Sequence, residues 1–371
     1  MSASLRYARY FGAVVLVAIV VLSTVYYSAR YVTRSRWIEC TTDCNCVQNE
    51  AAGHLDLRNS TEKRPPVTIA LVSCSGRLDE TVNSIKSLVA FSRAPLRLLV
   101  FADAKNIQSI QDSISRWPAS VYTRFTYDLR LARFPVKDPE KWKALFGPCA
   151  SQRLFFPSLL LDEDAVLYVD ADTMFVGPAE DLWDIFGAMN SSQIAAMSFE
   201  TEEQGNWYQK YGRTPYYGKY GLNSGVMAMN LTRMREYQLQ AIVEDLMKKY
   251  DKKLILPDQD LLNIAFHDDP ERLHLLSCRW NYRTDNCKHD SSCRGETAAL
   301  LHGSRYVFVK TDKGPAYRAA FLAMKEVNST SGPYALQNDC PSLWHFPKAF
   351  YTQRAREGND LLGAHLAIVR A

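Results

Sequence analysis

Two carboxylates one residue apart, Asp170 and Asp172, close the apolar run in 165-AVLYVDADTMFVGP-178. Held together in a partly enclosed site, such groups repel each other unless a cation lies between them. Carboxylate oxygens suit hard divalent ions, and those ions readily bridge to a diphosphate. A lone D-x-D is more often a turn or a helix cap. Its place at the end of a β-rich run favours the metal. His302, in 300-LLHGSRY-306, also follows an apolar run and precedes Gly303, which allows close backbone approach. It is the candidate third ligand, although a lone histidine is more often structural. An imidazole ligand favours Mn²⁺ over Mg²⁺.

Three further stretches carry polar residues suited to a site. Arg153, in 152-QRLFFP-157, offers a guanidinium that forks onto phosphate or carboxylate oxygens. In 222-LNSGVMAMN-230, Asn223, Ser224 and Gly225 precede an apolar strand and let the backbone approach sugar hydroxyls; a simple turn is the plainer account. In 258-DQDLLN-263, Asp258 reads as a helix N-cap. Its neighbour Gln259 would place a neutral dipole beside developing positive charge.

These residues need a scaffold, and the hydrophobic pattern supplies one. The run 67-VTIALVS-73 reads as a strand, and 77-RLDETVNSIKSLVAFSR-93 as a helix with Val82, Ile85, Leu88 and Val89 on one face. A second strand, 96-LRLLVFA-102, ends at Asp103, and a helix follows with Ile107, Ile110, Ile114 and Trp117 together. Alternating strands and helices indicate a parallel sheet with crossover helices. The pattern continues with a helix near 150–160, the strand ending at Asp170, strands at 193–198 and 223–230, a long helix near 232–250 and a helix over 258–267. In crevices at the carboxyl ends of such strands, ligands bind. That is where both aspartates fall.

The chain has 371 residues and a net charge of +4, too weak a balance to argue for nucleic acid. Tyr10–Ala29 holds no charged residue, and twenty helical residues span roughly 30 Å, enough to cross a bilayer. Arg6 and Arg9 on one side and Arg30, Arg34 and Arg36 on the other leave its orientation open. Nine cysteines, including Cys40/Cys44/Cys46 and Cys278/Cys287/Cys293, lack a repeated CxxC pattern and point to disulfides, with Cys74 the candidate unpaired thiol. Sequons stand at Asn59, Asn190, Asn230 and Asn328. Together these features predict a type II membrane protein of the endoplasmic reticulum or Golgi: residues 1–9 cytosolic, 10–29 a signal-anchor, 30–64 a luminal stem, 65–330 a globular luminal domain and 331–371 a tail.

The order of strand 67–73, Arg153, 170-DAD-172, 223-NSG-225, 258-DQDLLN-263 and 302-HG-303 resembles glycosyltransferase family 8 over roughly residues 65–325. The stretches 149-CASQRLFFPSLL-160, 216-YYGKYGLNSGVMAMNLTRMRE-236 and 278-CRWNYRTDNC-287 look like those of the glucoside xylosyltransferases within it. The resemblance implies a GT-A, Rossmann-like α/β fold with a mixed central sheet, UDP-xylose as donor, Mn²⁺ as cofactor and O-glucosylated EGF repeats, such as those of Notch, as acceptors. It implies Asp170, Asp172 and His302 as metal ligands. Ser73, Cys74, Arg77, Arg153, Asp170, Ala171, Asn223, Ser224 and Gly303 would border the donor, with Asp258 and Gln259 beside the anomeric carbon. Many members carry H-x-x-G-x-x-K after the ligand histidine. Here Gly303 comes at once and the lysines are Lys310 and Lys313, of which Lys313 is the candidate for the diphosphate. The family retains anomeric configuration, which implies an α-linked product. Competing readings are a xyloside xylosyltransferase, a relative using UDP-glucose or UDP-galactose, a nucleotide-sugar hydrolase and a non-catalytic lectin-like protein; an intact metal triad argues against the last.

Overall fold

The computed structural model describes residues 64–326 apart from 75, 118, 145–149, 202–205, 288–292, 294–297 and 311–313. The expected cytosolic tail, anchor and C-terminal tail lie outside the described residues, as do Lys313, the 40–46 cysteine cluster and the sequons at 59 and 328. Among the described residues, no helix is long and apolar enough to cross a membrane.

A seven-stranded sheet with the order β3-β2-β1-β4-β7-β6-β8 forms the centre. Its strands are β1 (Val67–Ser73), β2 (Leu96–Ala102), β3 (Phe125–Leu131), β4 (Ala165–Asp170), β6 (Ala195–Phe199), β7 (Leu222–Asn230) and β8 (Leu273–Leu275). β1 pairs in parallel with β2 and β4, and β2 with β3. β7 runs antiparallel to both β4 and β6, so the sheet is mixed. β1, β2 and β4 are apolar at nearly every position because both faces are covered. Successive residues serve opposite faces. Ala70, Val72, Leu99, Phe101 and Tyr168 pack into one core with the helix Pro257–Asp268. Ile69, Leu71, Leu98, Val100 and Val169 pack into the other with the helices Leu78–Phe91 and Ala104–Ile114.

The strand order carries the functional consequence. From β1 the chain builds outward to β2 and β3, then returns to lay β4 on the other side of β1, which creates a switch point between β1 and β4. Val72 pairs with Asp170, so the carboxyl ends of both strands meet there. β7 enters from the same edge, with Val226 opposite Val169 and residues 222–224 extending past the end of β4. A small second sheet pairs β5 (Thr173–Phe175) with β9 (Leu300–His302) antiparallel, Thr173 opposite His302. That pairing closes about 130 residues of chain and sets His302 one residue from Asp172.

Three expectations need correction. The helix near 150–160 is a 3₁₀ segment, Ala150–Phe155, followed by one short turn, Phe156–Leu159. The long helix near 232–250 is two helices, Leu231–Glu236 and Leu239–Tyr250, broken where Gln238 adopts a left-handed φ of 59°. Hydrophobic spacing passes through such a break unaltered, so the pattern alone reads as continuous. Cys74 is not a free thiol but is disulfide-bonded. In the predicted luminal cysteine cluster, Cys278 bridges Cys293.

Candidate active site

Asp170, Asp172 and His302 each present a ligand atom, and these atoms lie within 4.8 Å of one another. His302 Nε2 faces Asp170 Oδ2 at 3.7 Å and Asp172 Oδ1 at 3.5 Å. The opposite oxygens are already engaged. Asp170 Oδ1 accepts from Arg153 Nη2 at 2.9 Å and from the Tyr168 hydroxyl, whose pKa burial raises so that it stays a donor. Asp172 Oδ2 faces Arg77 Nη1 at 3.5 Å. One oxygen of each carboxylate is thus held by protein while the other converges with the imidazole.

The fit for a divalent ion shows in the packing around this point. A Cβ on Gly225 would lie 2.2 Å from His302 Cε1 and 2.9 Å from Asp170 Oδ2. Only glycine lets β7 pass so close behind the triad. Two carboxylates and one imidazole, buried or half-buried, form an O,O,N donor set suited to Mn²⁺ or a similar ion.

Arg153 is the electrostatic centre of the site and is 5% exposed. Besides Asp170 it pairs with Asp258 Oδ2 through Nε at 3.1 Å, donates to the Ser224 carbonyl from Nη1 at 2.6 Å and lies over the Tyr168 ring at 4.3 Å. Burial opposes its charge, but Asp170, Tyr168 and Asp258 outweigh that and raise its pKa. Its fork meets carboxylates of the protein. Burial likewise pushes the Asp258 carboxyl up to about 6, with Arg153 pulling it back down. Burial opposes ionisation of Asp172 as well, yet His302 and Arg77 outweigh it and hold the carboxyl below its usual range.

The N-cap role expected for Asp258 is not found. Leu256 occupies that position, Pro257 opens the helix, and Asp258 turns inward to Arg153. Asp260 instead accepts the backbone N–H groups of Ile255 and Leu256, at 2.7 and 2.9 Å, and so ties down the helix entrance. Gln259 is fully oriented: its carbonyl accepts from Ser224 N at 3.0 Å, and its amide donates to Glu200 Oε2 and the Tyr208 hydroxyl at 3.2 Å each.

The remaining expected donor residues separate into two groups. Arg77, Ala171, Asn223 and Ser224 border the triad, with Arg77 pairing with Glu80 and lying over the Tyr306 ring at 4.6 Å. Ser73 is fully buried beneath it and accepts from Thr81 Oγ1 at 2.7 Å. Gly303 donates its N–H to the Asp172 carbonyl at 2.6 Å, and a Cβ there would strike the Phe308 ring at 2.2 Å.

Glu200, Asn281, Tyr168 and Tyr208 escaped the sequence reading. Glu200 was accessible to it in principle, as an acid one residue past the end of β6, like Asp103 after β2. It is buried and accepts through Oε2 from Asn223 Nδ2 at 2.6 Å and Arg283 Nη1 at 3.1 Å.

Comparison with known proteins bears on this geometry. The family model for glycosyl transferase family 8 matches residues 68–303, which reach from β1 to β9 and include every residue of the triad. This chain belongs to glycosyl transferase family 8. It is 43% identical over 297 residues to glucoside xylosyltransferase 1 of Rattus norvegicus, covering 76% of this chain and 67% of that protein. To glucoside xylosyltransferase 1 of Homo sapiens it is 42% identical over 272 residues, covering 69% of this chain and 61% of that protein. Among solved structures, mouse xyloside xylosyltransferase 1 in its apo form aligns with a TM-score of 0.50 at 16% identity, covering 65% of this chain and 98% of that one. The galactosyltransferase LgtC, solved with donor and acceptor sugar analogues, aligns with a TM-score of 0.50 at 18% identity, covering 64% of this chain and 86% of that one. These structural likenesses establish a GT-A-like α/β fold with a mixed central sheet.

Proposed function

We propose that this family 8 glycosyltransferase is a retaining, Mn²⁺-dependent glucoside xylosyltransferase, moving xylose from UDP-xylose in α-linkage onto O-linked glucose of EGF repeats. The observation that carries this is the 43% identity to a glucoside xylosyltransferase across most of the chain, with the Asp170, Asp172 and His302 cluster intact. A non-catalytic lectin would have no need of that cluster, buried and backed by Gly225.

The chemistry follows from the residues. Held by Asp170, Asp172 and His302, Mn²⁺ would supply positive charge to the diphosphate of the departing nucleotide. Arg153 keeps Asp170 aimed and balances the buried Asp258, while Arg77 holds Asp172 from the other side. We assign Asn223 and Ser224 to the donor sugar and the acceptor, Asn223 through its backbone, since its amide is engaged with Glu200, Gly225 and Asn281. Ser73, Cys74, Ala171 and Gly303 build the backbone floor around the carboxyl ends of β1 and β4. Transfer breaks the bond from the anomeric carbon to the phosphate oxygen and forms one to the acceptor glucose oxygen, whose proton passes to the phosphate. Retention requires both events on one face of the sugar. Asp258 is paired with Arg153 and is read as an orienting group, and Gln259 as an oriented dipole beside the anomeric carbon.

The topology belongs to the same proposal: a short cytosolic tail, an anchor at 10–29 and a catalytic body in the lumen of the endoplasmic reticulum or Golgi. The test of the reaction incubates the full chain with UDP-xylose, UDP-glucose or UDP-galactose and an O-glucosylated EGF repeat. We expect acceptor-dependent transfer from UDP-xylose alone, lost in EDTA and restored by Mn²⁺. NMR of the product decides the linkage, and a β-linked xyloside would end the retaining assignment. UDP-xylose hydrolysis that the acceptor does not stimulate would point to a hydrolase.

A further inference from the structure

His302 can ligate through Nε2 only if its other nitrogen carries the proton, and the residues behind the ring determine that. His302 Nδ1 meets Asn281 Oδ1 at 2.7 Å, Asn281 Nδ2 donates to Asn223 Oδ1 at 2.8 Å, and Asn223 Nδ2 donates to Glu200 Oε2 at 2.6 Å. An amide is easily reversed in assignment, because its oxygen and nitrogen have the same shape. Here the two amides can reverse only together, since reversing one alone would set oxygen against oxygen or nitrogen against nitrogen.

Both far contacts forbid the joint reversal. Glu200 Oε2 also accepts from Arg283 Nη1 at 3.1 Å and Gln259 Nε2 at 3.2 Å, so it is an obligate acceptor. Gly225 N–H donates to Asn223 Oδ1 at 3.0 Å and is an obligate donor. A reversed Asn223 would face the carboxylate with its carbonyl and the N–H with its amino group. With Asn223 fixed, Asn281 is fixed, and its carbonyl oxygen requires a proton on Nδ1. The Nε2 lone pair is then left facing Asp170 and Asp172.

We propose that Glu200 is a positioning residue for the metal centre, setting the His302 tautomer, jointly with the Gly225 N–H, through the directional chain Glu200–Asn223–Asn281–His302. The inference rests on the metal reading of the triad and adds a determinant four residues deep. Glu200 lies on β6's carboxyl end and touches neither the triad nor any group that reacts. Toward the triad it acts by orienting amides, and it also pairs with the buried Arg283. The same oxygen holds Gln259, so one buried carboxylate aligns both branches of the site. Outer partners of this kind typically alter metal affinity about 10- to 100-fold.

Three full-chain variants test it, with Mn²⁺ binding read as free-ion EPR and no donor or acceptor present. Glu200→Met, which keeps the volume but cannot accept, should weaken Mn²⁺ binding about 10- to 100-fold. Glu200→Gln can still offer a carbonyl oxygen at the same point and should stay within a few-fold of wild type. Asn281→Leu should match Glu200→Met. In parallel, wild type labelled with ¹⁵N at its seven histidines is loaded with ¹¹³Cd²⁺. The metal should couple to Nε2 of His302, with a protected proton on Nδ1. Coupling to Nδ1, unchanged affinity in folded Glu200→Met, or equal loss in Glu200→Gln and Glu200→Met would each overturn the relay. If Glu200→Met does not fold, Asn281→Leu and the wild-type spectrum decide. Because no sugar enters these measurements, a wrong donor or acceptor leaves them untouched. Absence of any Mn²⁺ binding in wild type would sink the metal reading itself.

Discussion

At the scale of single residues, the site separates what a linear sequence can announce from what it hides. Asp170, Asp172 and His302 were legible together, because the two carboxylates and the imidazole each fall at or just past the end of an apolar run, although each alone has a commoner structural account. Asn281 and Tyr208 were not, because they work through partners dozens of positions away, and an asparagine or tyrosine looks the same in a loop. Asp258 does not cap the helix: Leu256 holds that position, Pro257 opens the helix, and Asp258 turns inward to pair with Arg153. Two predictions belong here. Gly225→Ala should abolish Mn²⁺ binding measured by EPR, because the new methyl would stand 2.2 Å from His302 Cε1, and overpacking should lower stability by about 1–3 kcal/mol. The second concerns pH. The Asp258 carboxyl, raised to about 6 in the fold, favours the folded state below its unfolded value and loses that contribution as pH rises through about 6. Asp258→Asn does not titrate. Its stability relative to wild type should therefore grow between pH 4.5 and 7.5, by at most about 3 kcal/mol, in metal-free urea titrations; a shrinking difference would contradict the assignment.

At the scale of elements, β1, β2, β4 and β7 were readable from their apolar runs, and the helices Leu78–Phe91 and Ala104–Ile114 from their spacing. Failure came where an element is short or its geometry is set by a neighbour. The apolar run ahead of His302 was readable as a strand, but β5 and β9 are three residues each, too short to announce their pairing, which is what brings His302 to the aspartates. The break at Gln238 is a backbone event with no apolar signature. It also suggests its own test, since Gln238 holds a left-handed conformation in which a Cβ is unfavourable by roughly 1–2 kcal/mol. Gln238→Gly should relieve that strain, offset in part by glycine's greater freedom when unfolded, for a net gain of up to about 1 kcal/mol. Urea denaturation reads the change, and Gln238→Ala should show no such gain. A stabilising alanine would mean that the residue prefers a continuous helix and that the break is dispensable.

At the scale of the whole molecule, the expectation of an oxidising compartment rests on cysteines and sequons, and the described residues give each a physical setting. Cys278 and Cys293 are buried and bridged across a separation of 15 residues. A loop of that size lowers the entropy of the unfolded chain by an amount worth about 3 kcal/mol. The bridge also anchors the 3₁₀ segment Cys278–Asn281, which ends on the asparagine bonded to His302. Loss of the bridge should therefore loosen the metal centre as well as the fold. Of the two sequons within the described residues, Asn190 is exposed, whereas Asn230 is half-buried and its side-chain oxygen caps the helix Leu231–Glu236 by accepting from Arg233 N at 2.9 Å. Asn190 Oδ1 likewise accepts from Ser192 N and Gln193 N, at 2.9 and 3.1 Å, and a glycan bonds to the amide nitrogen, so the two sequons differ in burial: Asn230 leaves its nitrogen less room for a glycan. The prediction is that protein made through the secretory pathway carries glycan at Asn190 and none at Asn230, by mass spectrometry of its peptides. Cys293→Ala should lose about 3 kcal/mol of stability and bind Mn²⁺ more weakly than wild type. Unmodified Asn190, together with access of added protease to the catalytic body in sealed vesicles, would place that body on the cytosolic side and refute the proposed orientation.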